Sequence, residues 1–223
     1  MNFTIAAYPA SYLVVEMEEG EKILAEKGSL IYSDGDYTFE NKIEISSYKN
    51  WIAKIVGGKS LSYASYCANE PLKMALAPKD NSEIFGIEMQ ATTAILFEPN
   101  LHFARTTAIE LLLEKTDWKS TLNDGLKLKA TGQGMLFLKG YGKIIKQQLA
   151  TAKPIYVDEE ALIAFEATLE VKTISKGVKE LLTSGEGFLY SIKGEGTIWL
   201  QTREQGENTS SGGFVEGIFG MVK

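Results

Sequence analysis

Residues 130–139 read ATGQGMLFLK and residues 192–201 read IKGEGTIWLQ. Gly132, Gly134, Phe137 and Leu138 of the first stretch fall on Gly194, Gly196, Trp199 and Leu200 of the second. A Gly-x-Gly ahead of a β-branched and aromatic run lets the backbone take a bulge or a positive-φ turn and then feed a strand. Phe137 and Trp199 then become matching core anchors, each burying about 150–250 Å². A repeat of this length predicts an architecture of copied β units.

Upstream of the cassettes a second pattern recurs. Ile23–Glu26 and Ser29–Tyr32 are short apolar strands separated by Lys27-Gly28. The same shape returns as Ile155–Asp158 and Ala161–Phe165, and more loosely as Ala94–Phe97 and Leu101–Ala104. In each case an acid stands three positions after an isoleucine: Ile23 and Glu26, Ile95 and Glu98, Ile155 and Asp158. An acid suits the opening of a tight turn, so each pair reads as a hairpin.

Each pair is followed by a stretch that predicts a short helix: Lys49–Val56, Asp117–Asn123 and Lys176–Thr183. Each ends near glycine (Gly57-Gly58, Gly125, Gly185), as helix C-termini prefer. Alternating segments follow at Ser60–Tyr66, Leu126–Ala130 and Phe188–Lys193. The last two lead into the glycine cassettes, and the first leads into Asn69-Glu70-Pro71 and Leu72–Ala77. The expectation is one all-β domain over residues 1–205, made of β-sandwich or double-stranded β-helix-like units. It consists of three pseudo-repeats at about 1–80, 81–145 and 146–205 with short helical insertions. A glycine-rich tail follows at 206–223; its Phe214–Lys223 end is expected to dock on its own domain or on a neighbouring subunit.

Composition narrows the function. The chain has 223 residues, of which 44% are hydrophobic and 23% charged, and a net charge of -6. These are globular values, and the acidic balance opposes nucleic-acid binding by counterion release. Lys127, Lys129, Lys139, Lys143 and Lys146 cluster in sequence and read as solvated strand faces. Cys67 is the single cysteine, so no internal disulfide can form, which fits a reducing cytoplasm; it reads as a small buried hydrophobe. The N-terminal MNFTIAAYPASY lacks a basic region and a long apolar run, so a secretory signal is not expected.

The chemical motifs point away from catalysis. Ala53–Ser60, AKIVGGKS, matches a relaxed phosphate-loop pattern, but helical residues precede it and strand-like residues follow. A phosphate cradle needs the reverse order. The paired glycines of the cassettes lack the third glycine of a dinucleotide fingerprint. His102 is the one histidine and lies inside an apolar run read as a strand, where a structural or partly exposed histidine is expected rather than a catalytic one. One His and one Cys cannot furnish a four-ligand structural zinc site. Glu16, Glu18, Glu19, Glu21, Glu26, Asp158, Glu159, Glu160 and Glu186 read as turn-forming and solvated acids. Arg203, just past a strand, is expected to tie units or subunits together through a carboxylate.

Three stretches resemble a known family. Glu19-Gly20-Glu21 with Ala25–Leu30 resembles its N-terminal "pGE…aE.GaM" element, and Val157–Phe165 resembles its "vD.ghlvAf" element. Ser184–Phe188, Lys193–Gly196 and Trp199–Arg203 resemble its C-terminal "sGEGl…GpG.v.lQtR" signature. The chain thus resembles the altered-inheritance-of-mitochondria-twenty-four-like family nearly to Arg203. It departs at Leu30, where the family has methionine, and at Asn123-Asp124-Gly125, where Gly-Glu-Gly is usual. The resemblance implies a fold like the tryptophan RNA-binding attenuation protein, with three β-sandwich units in one chain. It implies no catalytic residues, and its mitochondrial members are linked to inner-membrane organisation and respiratory-complex assembly.

The functional expectation is a non-enzymatic scaffold or interaction protein, cytoplasmic, with no catalytic, cofactor or metal residues assigned. It self-associates as a homo-oligomer and engages a protein or membrane-associated partner; nucleic acid is not expected. The alternative is a small-ligand or metal-binding β-sandwich, possibly enzymatic, with its site between units near Glu186, Glu195 or His102.

Overall fold

The computed structural model describes residues 1–7, 10–43, 62–116, 126–174 and 189–204. The helices expected at 49–56, 117–123 and 176–183 lie outside these residues, as do the phosphate-loop-like 53–60, the run 184–188 and the tail 206–223. Among the described residues the chain is all-β, with one single-turn 3-10 helix at Pro99–Leu101.

Among the described residues seventeen strands build three antiparallel sheets. The first sheet orders β1 (Asn2–Ala6), β2 (Tyr12–Met17), β7 (Leu72–Leu76) and β4 (Leu30–Ser33). The second orders β5 (Tyr37–Ile43), β6 (Ser62–Ala68), β3 (Lys22–Glu26), β10 (His102–Thr106), β13 (Gly134–Gly140) and β8 (Glu83–Met89). The third orders β11 (Ile109–Lys115), β12 (Leu126–Gly132), β9 (Ile95–Phe97), β15 (Leu162–Glu166), β17 (Leu189–Gln201) and β14 (Ile144–Asp158). Strand β16 (Glu170–Ile174) also pairs with β17.

Residue pattern explains which strands lie inside. In β2, Leu13, Val15 and Met17 are buried while Tyr12 and Glu16 face outward, the period of a strand with one covered face. In β9 and at the start of β15 every residue is apolar and buried, because both faces of the central strands are covered.

The strand pairs expected as hairpins are arches. Strand β3 sits in the second sheet and β4 in the first; β9 sits in the third and β10 in the second. Strands β14 and β15 each pair with β17. The reason is burial. Ile23, Leu24 and Ala25 are all covered, and a two-strand hairpin could cover only one face. The turns themselves match: Ser29 N–H donates to Glu26 O (3.2 Å), Leu101 N–H to Glu98 O (3.0 Å), and Ala161 N–H to Asp158 O (3.3 Å). Three strand pairs also share a break in register. It falls between Leu30 and Tyr32 against β7, between His102 and Ala104 against β13, and between Leu162 and Ala164 against β17.

The cassettes end as strands. Gly132, Gly134, Gly194 and Gly196 all have positive φ. A Cβ on Gly132 would collide with the Ala108 carbonyl oxygen, so the close approach of β11 requires glycine there. Phe137 packs in the first core with Ile23, Ala25 and Phe103; Trp199 packs in the second with Phe97, Leu138 and Ile163. A third core gathers Val157, Phe165, Tyr190, Ile192 and Ile198.

Candidate functional site

The second sheet carries charge through its middle. Arg105 on β10 is buried. Its Nε donates to the Ile109 carbonyl at 3.1 Å, and its Cζ lies 4.8 Å from the centre of the Tyr63 ring. Burial lowers the guanidinium to about 10. Nη1 stands 3.4 Å from His102 Nε2. The His102 ring meets Tyr63 edge-on at 4.5 Å and stacks on Phe97 at 6.4 Å. Burial, then the nearby Lys139 charge, pulls His102 down to about 3, so the imidazole is neutral at pH 7. A guanidinium only donates; Nε2 therefore accepts and the proton sits on Nδ1. Nδ1 and the Tyr63 hydroxyl are buried without hydrogen-bond partners among the described residues, and burial holds the Tyr63 pKa well above the phenol range.

Among the described residues two lysines are also buried. Lys127 on β12 pairs with Glu98, the acid of the second arch. Burial depresses its pKa, against the pull of Glu98. Lys139 on β13 stands 2.8 Å from Glu26, the acid of the first arch, and 3.5 Å from Asp80. Asp80 also accepts from the Ser82 and Tyr141 hydroxyls. Burial pushes the Asp80 carboxyl up, but Ser82, Lys139 and Tyr141 together hold it below its usual range. The arch acids thus do more than open turns: two of them seat buried ammonium groups.

Several expectations change here. The lysine cluster splits: Lys127 and Lys139 are buried, Lys129 pairs with Glu114 at 3.0 Å, and Lys146 lies 6.0 Å from the centre of the Trp199 ring. They are therefore not all solvated, because a neighbouring layer covers the polar face of β12 and β13. Glu159, expected in solvent, is buried. Cys67 is half-buried on β6 rather than in the core. Arg203 is exposed, and its backbone N–H donates to Tyr141 O at 3.2 Å; the buried arginine is Arg105. His102 lies on a strand, β10, and is buried there, whereas Glu195 is exposed on the second cassette. Glu186 lies outside the described residues. The position of Arg105 inside the apolar run LHFAR was the available signal for its burial.

Shallow grooves lie on the surface of the described residues. One of about 450 Å³ is lined by Met1, Glu16, Met17, Asp34, Leu72 and Lys73. Beside it the N-terminal ammonium stands 2.6 Å from Glu21. Another, of about 320 Å³, is lined by Pro154, Glu170, Lys172, Ser191 and Lys193. Neither is lined by His102 or Arg105. Large apolar side chains stand exposed elsewhere: Ile31 and Tyr32 on β4, Phe39 on β5, Leu112 on β11, and Ile145 and Tyr156 on β14.

Fold and surface together define an all-β protein of stacked antiparallel sheets. Its buried charges sit within the sheets, and a few large apolar side chains face out from its strands. The chain belongs to the mitochondrial biogenesis AIM24 family, whose model matches residues 3–203. Among solved structures it is similar to the crystal structure of protein SPYM3_0169 from Streptococcus pyogenes, with a TM-score of 0.70 and 21% identity, covering 91% of this chain and 94% of that one. That likeness shows a shared fold. A search of curated protein sequences found no match. Among the described residues no helix is long and apolar enough to cross a membrane.

Proposed function

We propose that this protein is a non-enzymatic scaffold that associates with copies of itself and engages a protein or membrane-associated partner. The observation that carries this reading is the exposure of Ile31, Tyr32 and Tyr156 on β4 and β14, the end strands of the first and third sheets. An end strand presents unpaired backbone groups, and apolar side chains along it favour strand addition. The family's description, mitochondrial biogenesis, is compatible with an assembly role. The lone cysteine suits a reducing cytoplasm.

The same reading takes the chain as three related units, at about 1–80, 81–145 and 146–205. Matching arch turns and matching register breaks support it. Size-exclusion chromatography with light scattering tests self-association, on the full chain and on a chain ending at Glu204. A mass above the 24.6 kDa of one chain is expected. A strict monomer in both forms overturns the reading.

A further inference from the structure

The three cores differ in one respect. The first takes in Phe103, Ala104 and Phe137 from β10 and β13, strands of the following unit. The second takes in Ile163, Ala164 and Trp199 from β15 and β17, again from the following unit. The third core, among the described residues, is built from β14, β15, β17 and their neighbours, with Leu96 from the preceding unit.

Register identifies the residues that would complete it. The shared break sets Leu30, Ile31 and Tyr32 where β10 has His102, Phe103 and Ala104, and where β15 has Leu162, Ile163 and Ala164. Phe103 is 0% exposed and Ile163 1%, but Ile31 is 56% exposed. Ala104 and Ala164 are 0% exposed, but Tyr32 is 46% exposed. The facing strands show the same contrast: Leu24 and Leu96 are buried, while their counterpart Tyr156 is 64% exposed. Two junctions are closed within the chain. One pairs Ala104 with Ala25 and Arg105 with Leu24; the other pairs Ala164 with Phe97 and Phe165 with Leu96. The halves of a third, Tyr32 with Val157 and Ser33 with Tyr156, lie on two separate edges that no other described strand pairs.

We infer that a second copy of this chain closes that junction: β4 of one copy adds antiparallel to Ile155–Asp158 of the next, with Tyr32 opposite Val157. This rests on the self-association reading and specifies its interface. Ile31 then enters the third core of the neighbour as Phe103 and Ile163 enter the first and second. The register, continued, sets exposed Asp36 opposite exposed Lys153, a favourable cross-strand charge pair. It sets Pro154 where Ala94 stands in the second junction. There Ala94 contributes its carbonyl, which accepts from Ala167 N–H at 2.8 Å. Proline keeps that carbonyl, so its missing N–H is no obstacle. The contact is heterologous, because one end of the molecule binds the other end of its neighbour. Successive copies therefore form a closed ring or an open filament.

The test uses full-length chains carrying Ile31→Lys or Tyr156→Lys, with circular dichroism to show that each folds. Both residues are exposed, so folding is expected to survive. Wild type is expected above monomer mass, and each variant alone at monomer mass. An equimolar mixture is expected to give a two-copy species, since I31K retains a good β14 edge and Y156K a good β4 edge. Oligomers in either variant alone, or a mixture that stays monomeric, overturn this interface. Multimeric wild type with unaffected variants overturns the interface and leaves self-association standing. Wild type that is monomeric at all concentrations, both full-length and shortened at Glu204, overturns both. A full-length monomer that assembles only when shortened at Glu204 makes the chain's own tail the occupant and also overturns the interface.

Discussion

Lys139 and Glu26, 113 residues apart in sequence, meet at 2.8 Å from β13 and β3, the two strands that flank β10 in the second sheet. The ammonium is 6% exposed and the carboxylate 30%. Breaking a fully buried pair from one side costs about 3–5 kcal/mol, and partial solvation of Glu26 reduces that. Lys139→Ala should therefore destabilise by about 2–3 kcal/mol in urea denaturation. Lys172→Ala, which removes a solvent-exposed partner of Glu170, should leave the midpoint unchanged. Equal effects of the two would mean that burial does not set the strength of the Lys139 contact.

The two cassettes predict unequal costs for the same substitution. Gly132 and Gly194 both have positive φ, so alanine strains the backbone at either. At Gly194 the nearest atom to a new Cβ is Leu169 Cδ2 at 3.5 Å, an ordinary contact. At Gly132 it strikes the Ala108 carbonyl oxygen. Gly194→Ala should cost about 1–3 kcal/mol. Gly132→Ala should cost more than about 3 kcal/mol. Thermal or chemical denaturation of both would show the order, and the reverse order would discredit the described approach of β11 to the cassette.

His102 should make stability fall on the acid side. Its folded pKa is lowered to about 3 from 6.5, chiefly by burial. The unfolded chain therefore takes up a proton that the folded chain refuses. The stabilisation is complete above pH 6.5 and declines as pH drops toward 3, by at most about 1.4 kcal/mol per pH unit. His102→Leu, the residue found at the matching positions Leu30 and Leu162, should flatten this slope. A slope unchanged in the variant would place the titrating group elsewhere.

Glu160 predicts a slope of the opposite sign. Its carboxyl is raised from 4.5 to about 7, first by a hydrogen bond with the Glu204 carboxyl, then by partial burial and by the charges of Glu204, Asp158 and Glu159. The folded chain holds this proton more tightly than the unfolded one. Its contribution is complete below pH 4.5 and is lost as pH rises through 7. Glu160→Gln should remove the melting-temperature decline between those values. Carbon-detected NMR titration should find a carboxyl with a midpoint near 7 that vanishes in the variant.

Local pattern was sufficient for much of this molecule. The paired glycines, the alternating runs and the acids at the arch turns announced strands, anchors and turns, because those features depend on neighbouring residues and a period of two. Phe137 and Trp199 reach their cores, where burying a large aromatic side chain removes much apolar surface from water. The destination of each strand was decided only in the fold. Whether the strand after Glu26 returns beside its neighbour or crosses to another sheet depends on which faces are already covered, and no short-range rule records that. Burial of Lys127 and Lys139 was set in the same way. In LKLKA the lysines alternate as a solvent face should, and only the layer packed over them removes Lys127 from water and seats it against Glu98. Chain chemistry dictated the kinds of element; long-range packing dictated which polar groups became interior and which apolar ones, Ile31 and Tyr156 among them, stayed outside.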